Sequence, residues 1–250
     1  VLATSIGDPR YNDRFEVTIS PEWRARSERL QRDYLERVGT VDPALLTGQD
    51  ALTYEIFRTG RERDIEGFRF PGHLMPVNQF FSVPNSFAQL GSGNGMQPFK
   101  TVKDYEDFLK RIDGFAQWTD QAIVNMREGV AKGYVLPRVL VERTLPQLAA
   151  QVVEKPEDSL YWGPIGKMPE SFTAAERERL TAAYRAAIAG KVIPSYRRLH
   201  DFMRDEYLPK ARTSVGLDAL PDGKAWYAYN VRNITTTGYT PAQIHDIGLR

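Results

Sequence analysis

Apolar residues recur along most of this chain at intervals of three and four, the repeat of a helix that buries one face. The longest such stripe runs from about Thr173 to Arg212, with Leu180, Tyr184, Ile188, Val192, Tyr196, Leu199 and Met203 in step. Pro194 lies inside it and cannot donate to the carbonyl of Gly190, so a bend is expected there. A second stripe opens at Thr101 and carries Tyr105, Phe108, Leu109 and Ile112; after Gly114, the segment from Phe115 to Val130 reads as a separate helix. Another helix begins near Pro137 and is expected to kink at Pro146. Near the start, Ser20 and Pro21 give an N-cap followed by proline at the first helical position. Trp23, Leu30, Tyr34 and Val38 are then expected to face a core, and a helix from about Asp50 to Glu66 to turn Leu52, Ile56 and Phe57 inward.

Between these stripes the period fails. Residues 1–20 read as extended or irregular, with turn chemistry at Gly7-Asp8-Pro9. From Phe68 to Phe99, glycines and prolines break any long repeat, but Phe68, Phe70, Phe80, Phe81 and Phe87 argue for a loop that packs. Lys155–Glu170 is a further loop, and Leu220-Pro221-Asp222-Gly223 is a turn signal. Ala225 to Thr237 is rich in Tyr, Val, Ile and Thr, and Tyr227, Tyr229 and Val231 alternate with other residues, which predicts a strand. Thr240 and Pro241 start a last helix only ten residues before Arg250, too few for a helix that stands alone. With no initiator Met at Val1, the expectation is a piece cut from a longer protein at both ends. The predicted class is mainly α: a multi-helix array with long kinked helices and one β-strand near the C-terminal end. Residues 1–250 are expected to form a single helical N-terminal portion of a larger domain.

Composition narrows the function. The 33 Lys and Arg nearly cancel the 32 Asp and Glu, leaving a net charge of +1, so no basic field draws in nucleic acid. No apolar run approaches the ~20 residues of a membrane span, and no secretory signal opens the chain. There is no cysteine, which removes disulfides, thiolate metal sites and a cysteine nucleophile together. That fits cytosol and cell envelope equally.

The catalytic inventory is sparse. Of the three histidines His73, His200 and His245, none has a Glu beside it or a second His at i+4, so the zinc-binding HExxH helix is missing. A catalytic zinc usually takes three protein ligands, which here could come only from a loop and two separate helices converging. The nucleophile elbow, the phosphate-cradling loop and the dinucleotide glycine pattern are missing too; Gly91-Ser92-Gly93-Asn94-Gly95 reads as a turn. Acidic pairs such as Asp205 and Glu206 read as solvated helix faces. Two segments remain as candidate substrate contacts, each with a structural reading beside it. One is the loop with His73, Asn78 and Gln79. The other is the predicted strand with Tyr227, Tyr229, Arg232, Thr235 and Thr236, whose open backbone edge would require a partner strand or an extended peptide.

Several blocks together resemble a known family. Gly7-Asp8-Pro9-Arg10-Tyr11-Asn12-Asp13-Arg14, the central Pro194-Ser195-Tyr196-Arg197-Arg198-Leu199, and Asp205-Glu206-Tyr207-Leu208-Pro209-Lys210-Ala211-Arg212 are similar to the bacterial domain of unknown function 885. So are Leu220-Pro221-Asp222-Gly223 and the run from Thr240 to Leu249. The resemblance covers essentially the whole chain. It implies a longer parent related to the HExxH zinc peptidases, with an all-helical cleft and often a signal or lipoprotein leader, which favours the periplasm or cell envelope. The family's metal-binding helix follows the block that ends this chain. The resemblance therefore implies a cleft-forming part that is inert alone, zinc only in the full-length parent, a missing C-terminal catalytic portion as partner and a peptide as substrate. The competing readings are a non-catalytic helical binding domain of an envelope protein and a parent whose catalytic motif has decayed. A homodimer through the exposed strand edge or helix faces is also expected.

Overall fold

The computed structural model describes residues 2–250, so the reading made at Val1 lies outside them. The described residues form ten α-helices and no sheet: α1 (Leu2–Ser5), α2 (Pro21–Gly39), α3 (Gly48–Gly67), α4 (Val83–Gly91), α5 (Val102–Lys132), α6 (Arg138–Ala149), α7 (Ala174–Ala187), α8 (Ile193–Phe202), α9 (Gly223–Thr235) and α10 (Pro241–Gly248). The only strand-like pairing among them is an isolated parallel bridge between Pro137 and Arg212. The helices fall into two compact units. The first holds the chain up to Ile19 and His73–Thr213; the second holds Ser20–Gly72 and Ser214–Arg250.

The first unit is built around α5. Thr101 and Asp104 form a capping box at its start, and Gly133 closes it in the left-handed region with φ 80°, a conformation that favours glycine. Tyr105, Phe108, Ile112, Phe115, Trp118, Ala122 and Met126 occupy its buried face. Across from them lie Leu180, Tyr184, Ile188, Val192, Tyr196, Leu199 and Met203, the stripe expected from the sequence, all buried. Phe87 on α4 stacks on Phe115 at 4.3 Å between ring centroids and contacts Phe108 and Tyr161. The expected loop at 68–99 thus contains a helix that delivers one of the central aromatic rings.

Gly114 does not end a helix, and α5 runs through it. A side chain there would run into the backbone of Phe15, so the glycine admits the N-terminal segment rather than breaking the helix. Three residues earlier, the fully buried Arg111 holds the same segment. It donates to Arg14 O at 3.2 Å, Tyr11 O at 3.0 Å and Thr4 Oγ1 at 2.6 Å, and to Gln97 Oε1. These neutral acceptors take most of the guanidinium's hydrogens, as a buried cation requires.

The long stripe is helical from Ala174 to Lys210 but not α-helical throughout. It is interrupted by π turns at Ile188–Val192 and Met203–Tyr207, and a proline follows each within two residues (Pro194, Pro209). A proline withholds one backbone donor, and the looser i→i+5 pairing absorbs the mismatch: Ile193 N–H reaches Ile188 O, and Leu208 N–H reaches Met203 O.

In the second unit α2 and α3 pair as a helical hairpin, with Tyr34 edge-on to Phe57 at 6.2 Å. The Ser20 cap forms as expected, accepting from Trp23 N. The inward orientation expected for Leu52 and Ile56 is not found, since they are 59% and 70% exposed. The C-terminal strand is also corrected: Gly223–Thr235 is helix α9. Tyr227, Tyr229 and Val231 suggested a period of two, but packing follows a period of three. Trp226 stacks on Phe70 at 5.8 Å, Tyr229 leans on the same ring at 5.0 Å, and Arg232 pairs with Glu66 at 2.6 Å. Burying that face overrides the local β preference, which depends on context. With no strand, the edge expected to mediate dimerisation is absent from the described residues. The last helix, α10, opens with a capping box of Thr240 and Gln243.

Candidate functional site

An open concave surface lies within the first unit, between α5 and α8. Asp120, Ile123, Val124 and Arg127 follow the i, i+3, i+4, i+7 spacing and present one stripe of α5. Arg198, Asp201, Phe202, Asp205 and Glu206 come from α8 and the π turn after it. The groove between them encloses about 500 Å³. A neighbouring recess of about 360 Å³ shares Arg127, Phe202, Asp205 and Glu206 and extends to Val130, Pro209 and Lys210. Ile123 and Phe202, both nearly buried, supply an apolar floor.

Two ion pairs cross the groove. Arg198 donates to Asp120 Oδ1 at 2.9 and 3.1 Å. Arg127 grips Glu206 through both carboxylate oxygens, at 2.6 and 2.8 Å, and lies over the Phe202 ring at 5.3 Å. The planar fork of arginine suits such two-point recognition. The Arg127 hydrogen bond holds the Glu206 carboxyl below its usual range, and Arg204 does the same for Asp205. His200 Nδ1 lies 3.1 Å from Asp201 Oδ1 on the same helix.

Both shifted carboxyls are pushed toward the anion, the opposite of what a general acid needs. Among the acidic hydroxyls, core tyrosines are pushed up. Burial raises Tyr161, Tyr184 and Tyr196, and raises Tyr207 to about 12. Each of their hydroxyls is hydrogen-bonded, as in the chain from Tyr161 to Tyr196 (2.7 Å) and on to Pro84 O (2.6 Å). Among the described residues no three His, Cys, Asp or Glu side chains converge to hold a metal ion. What the groove offers is a floor for apolar atoms and two exchangeable ion pairs, suited to a ligand carrying charges of both signs.

The residues singled out from the sequence lie elsewhere, in two groups on different units. In the first unit, Asn78 Oδ1 accepts from Phe80 N and Phe81 N, both at 2.8 Å, and its Nδ2 donates to Phe81 O. This turn presents the exposed Phe80 and Phe81. Gln79 O accepts from Gln147 Nε2 at 3.1 Å, and His73 O from Asn125 Nδ2 at 3.1 Å. In the second unit, Tyr229 donates to Arg63 O at 3.1 Å and Arg232 pairs with Glu66. Thr235 bonds back to Val231 O, Thr236 ends α9 with φ 56°, and Tyr227 is half exposed. These hydrogen bonds stabilise turns, helix ends and packing. Of the groove residues, Asp205 and Glu206 read from the sequence only as a solvated helix face and Arg198 only as part of a family block; the available signal was opposite charges flanking an apolar residue on two helices at matching spacing.

Comparison with known proteins then places the chain. The family model described as "Bacterial protein of unknown function (DUF885)" matches residues 1–250. The chain belongs to this family. Among the DUF885 member's solved neighbours is a "putative lipoprotein" from Colwellia psychrerythraea, 18% identical with a TM-score of 0.82. The likeness covers 99% of this chain but 45% of that one, so this DUF885 chain spans less than half of its neighbour. At that identity the likeness speaks for fold. No curated protein matches the chain.

Proposed function

We propose that this chain is the helical, non-catalytic part of a larger zinc-peptidase-like hydrolase of the bacterial envelope, supplying wall and substrate contacts to a cleft. The observation that carries the reading is the groove between α5 and α8. Its apolar floor and its Arg127–Glu206 and Arg198–Asp120 pairs fit a peptide-like ligand, while the groups around it favour binding over proton transfer. The reaction class rests on the kinship with zinc peptidases that the resemblance to this family implies, and the lipoprotein description of the neighbour supports the envelope.

The described side chains do not fit a zinc site, because no ligand set converges among them. On this reading the metal's ligands come from polypeptide outside these 250 residues, and no catalytic step is assigned to any residue here. A peptide would lie along the groove, exchanging one of the two ion pairs for its own charges.

The test uses the full-length parent. Stoichiometric zinc by plasma mass spectrometry, with chelator-sensitive cleavage of a peptide library, is the expected result; a metal-free parent that cleaves nothing would overturn the hydrolase assignment. Arg127→Ala is expected to raise KM by about tenfold with kcat little changed, the mark of a lost binding contact.

A further inference from the structure

Two paired helices form a layer with two sides, and burying both takes further layers. The α2–α3 hairpin shows this deficit. Neither helix contains a buried residue, and Leu220 is the sole fully buried hydrophobic side chain described in the second unit. The exposed apolar positions are ordered. On α2, Leu30 and Tyr34 are 50% and 42% exposed; on α3, Leu52 and Ile56 are 59% and 70% exposed. Each pair is one helical turn apart, and Trp23 lies two turns before Leu30, so the apolar atoms form rows of the kind that interlock with another helix. Between Trp23 and Leu30, α2 carries a shallow, open and mainly apolar recess, rimmed by Arg26, Arg29 and Asp33. A row of helix side chains would fill it.

An occupant is available. This chain corresponds to 45% of the solved neighbour, so a protein on that plan has more polypeptide outside the shared portion than within it. We propose that the apolar rows of α2 and α3 are the docking surface for a helix supplied in cis by the additional polypeptide of the full-length parent. The inference rests on the reading above only in requiring a longer parent. It requires neither zinc nor hydrolysis.

The chain has no cysteine, so single cysteines can report burial. In the full-length parent, Leu30→Cys, Leu52→Cys and Ile56→Cys would be labelled with a maleimide and read peptide by peptide by mass spectrometry. Leu160→Cys and Val139→Cys, at positions 53% and 44% exposed, serve as first-unit controls. The expected result is labelling roughly tenfold slower or more at the three test positions, unchanged on dilution. Equal rates would overturn the proposal. Protection lost on dilution would also overturn it, by identifying a second copy as the occupant. Zinc measured on the same preparation separates the two readings. Protection in a zinc-free parent would sustain the docking surface while removing the hydrolase. A zinc-loaded parent labelling at equal rates would do the reverse.

Discussion

The two units solve the packing problem differently. In the first, apolar stripes on α5, α7 and α8 meet around Phe87 and Tyr161, and nearly every fully buried hydrophobic residue belongs there. In the second, the helices are as well capped and as regular, yet their apolar side chains stay half exposed. Capping and periodicity therefore set where helices start and stop, while stability depends on how many layers close over each face. The first unit has its layers; the second has a face left over.

That contrast can be broken or sharpened by measurement. The largest effect is expected from Phe115→Ala, which removes a ring stacked on Phe87 and should cost about 3–5 kcal/mol in urea denaturation. A change below ~1 kcal/mol would mean that the core relaxes freely and the contrast is overstated. Arg111→Ala should cost roughly 3 kcal/mol, because it strands several buried acceptors at once. It should also release the N-terminal segment to limited proteolysis, a readout that a merely softened core would not give.

Alkaline pH probes the same unit. The Tyr207 hydroxyl titrates near 12 when folded, against about 10 when unfolded. A raised folded value gives a contribution that is full below pH 10 and disappears as pH rises through about 12, on the order of 2–3 kcal/mol for this one group. Denaturation midpoints between pH 9 and 12 should fall accordingly, and Tyr207→Phe should flatten the fall. Gly114→Ala should cost about 1–3 kcal/mol through overpacking against Phe15, read as a shift in thermal midpoint. The smallest effect is expected from Leu52→Ser and Ile56→Ser in the isolated chain, within roughly 0.5 kcal/mol. A large loss there would show that the second unit already has a core.

Much of the fold was legible because helix periodicity is local. The Leu180 to Met203 stripe and the aromatic face of α5 follow from spacing, and the caps at Ser20 and Thr240 from a capping residue followed by proline. What spacing could not convey is which face meets a partner. Leu52 and Ile56 carry the same pattern as Leu180 and Tyr184, and only the presence of a neighbouring layer separates them. The Tyr227–Val231 alternation misled for a related reason: contacts of Trp226, Tyr229 and Arg232 with Phe70 and Glu66 are distant in sequence, and they outweigh a preference read from a few neighbours. Gly114 shows a third limit, since the residue it accommodates, Phe15, comes from the N-terminal segment, far away in sequence. The groove between α5 and α8 was not read because its signal, opposite charges beside an apolar residue, is divided between two helices far apart in sequence.

The π turns before Pro194 and Pro209 set the phase of everything between and beyond them. Each contributes about one residue more than an α-helical turn, equivalent to roughly 100° of rotation about the axis. Deleting a single residue from Ile188–Val192 would therefore swing Tyr196 and Leu199 off the interior and carry Arg198 away from Asp120. The spiral of this segment works like a combination lock, in which an inserted residue is what brings hydrophobic and charged positions to their proper bearings.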